Sequence, residues 1–211
     1  RKPRPSGRGG CHDPVDLDAP VEQRAGRSRR SAGWLAAVVA TVVLALLLRT
    51  FVVQTFWIPS ESMEPTLTKG DRIVVNEIAY RLGEPRRGDV VVFHRPASMQ
   101  SAEAFLVKRV VAVGGETVSI RNGTVHVDGK ALPEPYVHGL PTTAHVPCPV
   151  VAPTTGIDTA AGFTVPEGSV LVMGDNRTDS TDGHCFGPVA EGDIVGRAEA
   201  VAWPPGRLSG L

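Results

Sequence analysis

Two serines flank one residue in Pro59-Ser60-Glu61-Ser62-Met63-Glu64-Pro65-Thr66-Leu67, and prolines fix the backbone at both ends. A hydroxyl is a weak nucleophile and needs a positioned base. On its own such a serine serves as readily in a turn or a helix cap. A candidate base lies in Phe105-Leu106-Val107-Lys108-Arg109-Val110-Val111-Ala112-Val113. Read as a strand, this run sets Lys108 on one face with Leu106, Val110 and Ala112. Apolar surroundings disfavour the charged ammonium and lower its pKa. A fall from about 10.4 to about 8 corresponds to roughly 3 kcal/mol. An ordinary Lys instead reaches water from a strand edge, because Lys is almost never fully buried. A third run, Gly174-Asp175-Asn176-Arg177-Thr178-Asp179-Ser180-Thr181-Asp182-Gly183-His184, reads as a solvated loop or as a source of side chains that orient a base.

Strands must carry these residues. From Thr50 to Leu211 no stretch sustains a helical period. Short β-branched runs bounded by Gly and Pro predict strands at Arg72–Asn76, Asp89–Phe93, Phe105–Val113, Thr117–Arg121, Thr124–Val127, Ser169–Met173 and Ile194–Ala202. Asn122-Gly123 is the favoured pair for a type I′ hairpin turn. That turn sets Ile120 opposite Val125 and Val118 opposite Val127, apolar against apolar. Asp128-Gly129 marks a second turn, and the Pro-, Thr- and Ala-rich residues 137–162 read as a long loop.

The N-terminal part differs. Residues 1–31 hold eight basic and four acidic residues in a Gly-, Pro- and Ser-rich stretch, which reads as a disordered basic tail. Ser31 to Leu48 is an 18-residue run without a charge. As a helix it is roughly 27 Å long, close to the roughly 30 Å hydrocarbon core of a bilayer. Arg49 ends the run, and Phe51, Phe56 and Trp57 follow as an interfacial aromatic belt does. Residues 32–49 thus read as a transmembrane anchor. The cluster Arg27, Arg29, Arg30 puts the tail in the cytoplasm and residues 50–211 outside it. A buried helix would show a polar face, and this run has only Thr41. A cleaved leader would be followed by a small-residue site, where Thr55-Phe56-Trp57-Ile58-Pro59 stands instead.

Composition narrows the rest. Twenty-two basic and 22 acidic residues balance, which argues against nucleic-acid binding by bulk phosphate attraction. Three cysteines without C-x-x-C spacing and six histidines without an H-x-x-x-H pair argue against a structural metal site. The topology puts Cys11 in a reducing compartment and Cys148 and Cys185 in an oxidising one, where the latter two are expected to pair. The alternative is two unpaired small apolar residues.

Taken as a set behind an anchor, the P-S-x-S-M-x-P-T-L stretch, the Lys108-Arg109 pair before Gly114-Gly115, and the Gly174-Asp175-Asn176-Arg177 run resemble bacterial type I signal peptidases of the single-span Gram-positive form. The resemblance covers most of residues 33–203. It implies a mostly β fold: an antiparallel sheet or barrel catalytic domain over 50–211, with a β subdomain inserted at roughly 117–165. It also implies Ser62 as nucleophile and Lys108 as general base, with the Ser60 hydroxyl and the Ser62 N–H forming the oxyanion hole. Ser180 would hydrogen-bond the Lys108 amine, and Asp182 and Met63 would support the site. Substrates would be secreted preproteins with small residues at −1 and −3, cut at the membrane lipid surface without metal or cofactor. Three positions depart from the family pattern. Glu61 stands where Gly is common, Thr178 where Asp or Asn is, and His184 where Arg is, so an Asp182–His184 contact would be pH-sensitive. Two rivals stand beside this reading. One is another Ser–Lys protease, of the self-cleaving repressor or pilus-transfer type. The other is a membrane-anchored β domain that only binds exported proteins, which has no need for Ser62, Lys108 and Ser180 together.

Overall fold

The computed structural model describes residues 33–45, 53–99, 101–142, 157, 159 and 161–211. The basic tail, Arg49, Phe51, Cys11, Cys148 and much of the 137–162 loop lie outside those residues. Residues 33–45 form a helix, α1, whose residues are exposed throughout. No helix among the described residues is long and apolar enough to cross a membrane.

The rest is antiparallel β structure. Strands run β1 Val53–Trp57, β2 Arg72–Asn76, β3 Val90–His94, β4 Phe105–Val113, β5 Thr117–Arg121, β6 Thr124–Val127, β7 Lys130–Ala131, β8 Phe163–Thr164, β9 Ser169–Met173, β10 Val189–Ala190, β11 Ile194–Trp203 and β12 Ser209–Gly210. A single helical turn, α2, spans Gly183–Phe186. The expected β2, β4, β5, β6 and β9 form at their predicted bounds, β3 is shifted by one residue at each end, and β11 is one residue longer at its C-terminal end. Phe56 and Trp57, expected at a membrane interface, lie in β1, paired with Ile73 and Arg72.

The larger sheet has eight strands in the order β1-β2-β11-β3-β4-β9-β10, with β12 paired to β11. It curls on itself. Phe56 of β1 and Phe105 of β4 stand at opposite ends of the run β1-β2-β11-β3-β4, yet their rings meet edge to face at 5.4 Å. Ile58, Ile73, Val75, Val90, Val92, Ala198 and Val201 fill the concave side.

The smaller sheet, in the order β7-β6-β5-β8, is carried between β4 and β9. Its hairpin has the predicted register, Ile120 opposite Val125 and Val118 opposite Val127. Asn122 and Gly123 take φ of 49° and 77°, the left-handed pair that a type I′ turn needs. Val118, Ile120, Val125 and Val127 share one core with Val111, Ala112, Leu171 and Met173. A register shift between Val110 and Ala112 breaks the alternation of β4. Leu106 and Val110 therefore join one cluster and Ala112 another, so Ala112 does not share the face expected of it.

Candidate active site

Ser62 lies in the connection from β1 to β2. The Glu64 N–H donates to Glu61 O at 3.0 Å and the Leu67 N–H to Met63 O at 2.9 Å, folding the segment into tight turns. Met63 and Leu67, 1% and 0% exposed, sink into the concave core and hold those turns down. Met63, expected to support the site, is packed in that core. The loop after β9 grips the other side. The Asn176 N–H donates to Ser62 O at 3.1 Å, its Nδ2 to Glu61 O at 3.2 Å, and Thr66 Oγ1 to Asp175 Oδ2 at 2.6 Å.

Lys108 reaches this turn from β4. Its Nζ donates to Ser62 Oγ across 2.5 Å, and Ser60 Oγ lies 3.3 Å from the same oxygen. Lys108 is 4% exposed. Burial lowers its pKa to about 8, against the upward pull of Asp182, Asp175, Asp179 and Glu103. Desolvation wins because the charged amine has lost its water, while the nearest acids hold partners of their own.

Asp182 ties the rear of the site together. Its Oδ2 accepts the Gly174 N–H at 2.9 Å and the Ser180 hydroxyl at 2.8 Å. Its Oδ1 accepts the His184 N–H at 3.1 Å and caps α2. Two expectations change here. Ser180, expected to hold the Lys108 amine, donates to Asp182. His184 meets Asp182 through its backbone N–H. Gly174 sits where no side chain fits, since a Cβ would lie 2.3 Å from Ser180 Oγ and 2.5 Å from Ser62 O.

Arg109, next to Lys108 on β4, gives Asp175 two hydrogen bonds, at 2.8 and 2.7 Å, and Gly88 O a third at 2.7 Å. Its guanidinium lies 4.2 Å from the centroid of the Tyr136 ring. Sequence reasoning gave no role to Thr66, Arg109, Asp175 or Tyr136. The adjacency of Lys108 and Arg109, and of Gly174 and Asp175, was the available signal, because buried charges require opposite partners. Nothing in the spacing tied Tyr136 to either.

A cleft of about 430 Å³ opens over Ser62, Ser60 and Lys108, with an apolar wall of Phe56, Ile58, Phe105, Leu106 and Val107. Along this wall β4 has one open edge. β3 pairs with Phe105–Arg109, but β9 pairs only from Arg109 onward. Among the described residues no strand covers 105–108 on that side. An open strand edge beside a serine hydroxyl and a buried amine can pair with an extended chain and transfer an acyl group from it to the serine.

A family model described as signal peptidase, peptidase S26, matches residues 31–203. The chain is 41% identical over 176 residues to signal peptidase I of Leptolyngbya laminosa, covering 81% of this chain and 79% of that protein. It is 40% identical over 215 residues to signal peptidase I of Mycobacterium tuberculosis H37Rv, covering 81% and 71%. The crystal structure of a signal peptidase I from Enterococcus faecalis V583 matches 55% of this chain and 97% of its own at 30% identity, with a TM-score of 0.41.

Proposed function

The chain belongs to the signal peptidase family, peptidase S26, and from that premise we infer that it is a serine endopeptidase that removes N-terminal signal peptides from secreted preproteins. The observation that carries the mechanism is the 2.5 Å contact between Ser62 Oγ and a Lys108 amine buried to a pKa of about 8. Neutral Lys108 takes the hydroxyl proton as Ser62 Oγ attacks the scissile carbonyl. The proton passes to the leaving amine as the C–N bond breaks, leaving an ester on Ser62. Water, deprotonated by the same amine, hydrolyses that ester. The oxyanion takes the Ser62 N–H and the Ser60 hydroxyl as donors, each worth roughly 3–4 kcal/mol in the transition state. Asp182 holds the rear of the site through Ser180 and the Gly174 N–H.

The substrate lies extended along Phe105–Lys108, with small residues at −1 and −3 facing the narrow wall of the cleft. The stretch 117–165 is taken as the insert of a catalytic domain spanning 50–211. Residues 32–49 serve as a single membrane anchor with the N-terminus cytoplasmic. Its support is the apolar surface of α1, where Trp34, Leu35, Val39 and Leu44 are all more than half exposed. Thr41, its one polar side chain, bonds back to Ala37 O at 2.9 Å and so presents no unpaired hydroxyl to lipid.

The test is incubation of the detergent-solubilised chain with a preprotein, with the cut site read by mass spectrometry. Ser62→Ala and Lys108→Met each abolish cleavage, and the double variant is no worse than either. A Lys108→Met protein that keeps more than about a tenth of the activity, less than a 1.4 kcal/mol effect, refutes the dyad.

A further inference from the structure

Arg177, in the loop after β9, is 3% exposed. Both its terminal nitrogens reach Glu134, Nη1 to Oε2 at 3.1 Å and Nη2 to Oε1. Nη1 also donates to Thr142 Oγ1 at 2.5 Å. Glu134 and Thr142 belong to the stretch that leaves the smaller sheet after β7, and Tyr136 OH donates to Glu134 Oε1 at 3.1 Å. The remaining guanidinium nitrogen, Nε, donates to Gly174 O at 2.9 Å. Gly174 is thus held at both ends of its backbone, its N–H by Asp182 and its carbonyl by Arg177. The same residue packs against Ser62 O with no room for a methyl group.

We propose that Glu134, supplied from the smaller sheet's exit segment, is a positioning residue for the Ser62–Lys108 pair, acting through Arg177 and the Gly174 backbone. A buried guanidinium that loses its carboxylate is an uncompensated charge. It moves toward water and releases the Gly174 carbonyl. The Gly174–Arg177 turn, which also bonds Ser62 O through Asn176, then no longer fixes the nucleophile against Lys108. Small misplacements of reacting groups cost rate more than binding. Glu134, Arg177 and Gly174 do not line the cleft, whose apolar wall lies chiefly on β1 and β4, so the loss is expected to fall on kcat.

This inference rests on the peptidase reading. Its test compares the full chain with Glu134→Gln and Glu134→Asp on a fluorogenic signal-sequence peptide, about 20 °C below the lowest Tm of the set. Glu134→Gln is expected to lower kcat at least tenfold with KM within about twofold. Glu134→Asp keeps the charge and recovers to within about threefold of the parent. Equal kcat in Glu134→Gln with only a lower Tm overturns the proposal, because the pair is then purely structural. A raised KM with unchanged kcat overturns it too, because the segment then touches substrate. If Glu134→Gln does not fold, Thr142→Val removes one Arg177 partner without removing the charge pair. A two- to fivefold fall in kcat supports the proposal, and an unchanged kcat refutes it. A parent chain that fails to cut the peptide refutes the peptidase reading itself, a result separable from any difference among the variants.

Discussion

Lys108 links the site's rate to its stability. Its pKa of about 8 means that the neutral base accumulates as pH rises through that value. A plot of kcat/KM on a soluble peptide should climb with a midpoint near 8, and a midpoint near the roughly 10.4 of free Lys would show a hydrated amine. The same shift acts on folding. Between about 8 and about 10.4 the unfolded chain holds a proton that the folded chain has lost, so stability rises with pH through that window. The Tm of the parent minus that of Lys108→Met should therefore increase from about pH 7 to about pH 10, and a flat difference would contradict the burial argument. Gly174 gives a steric check. Gly174→Ala drives a methyl group into Ser180 Oγ and Ser62 O, and peptide turnover should fall more than tenfold while far-UV circular dichroism is kept. Ser62 and Lys108 stood out through the resemblance that the three motifs carry as a set, since alone they read equally well as a turn serine and a strand-edge Lys. The routes by which Asp175, Arg177 and Glu134 support them were not legible. The Glu134–Arg177 and Arg109–Asp175 pairs join residues 43 and 66 positions apart, and local pattern carries no record of them.

Among the elements, the hairpin at Asn122-Gly123 is the most completely specified. Turn chemistry and the apolar register agree there, and the structure has both. Gly123 adopts φ of 77°, and a Cβ would stand 3.1 Å from that of Pro141. Gly123→Ala should lower stability by about 1–2 kcal/mol in urea titration, with dyad activity kept. A neutral effect would mean that the turn relaxes freely. Strands of four or more residues with β-branched runs were readable, while β7, β8, β10 and β12, two residues each, leave no periodic trace. β1 was obscured for another reason. Phe56 and Trp57 suit a membrane interface as well as a sheet, and only pairing with β2 decides. The register shift in β4 was equally invisible, because a bulge changes facing without changing composition.

On the scale of the whole molecule, Cys185 is disulfide-bonded and directly follows the helix position of His184 in α2. With Cys148 as partner, the bridge would tie the stretch after Thr142 to the cap at Asp182, closing a loop of about 38 residues for roughly 4 kcal/mol in the chain-entropy model. Non-reducing peptide mapping should find a Cys148–Cys185 peptide and an alkylatable Cys11, whereas a Cys11–Cys185 peptide would reverse the compartment assignment of the tail. The open edge of β4 reaches beyond the enzyme to whatever enters it. A leader segment crossing a bilayer as a helix spends its backbone donors and acceptors on itself and has none to offer Phe105–Lys108. It must first uncoil over several residues at its end. On the proposed function, a helix-breaking residue a few positions ahead of the cut works as a licence and a well-formed helix running through it as a veto.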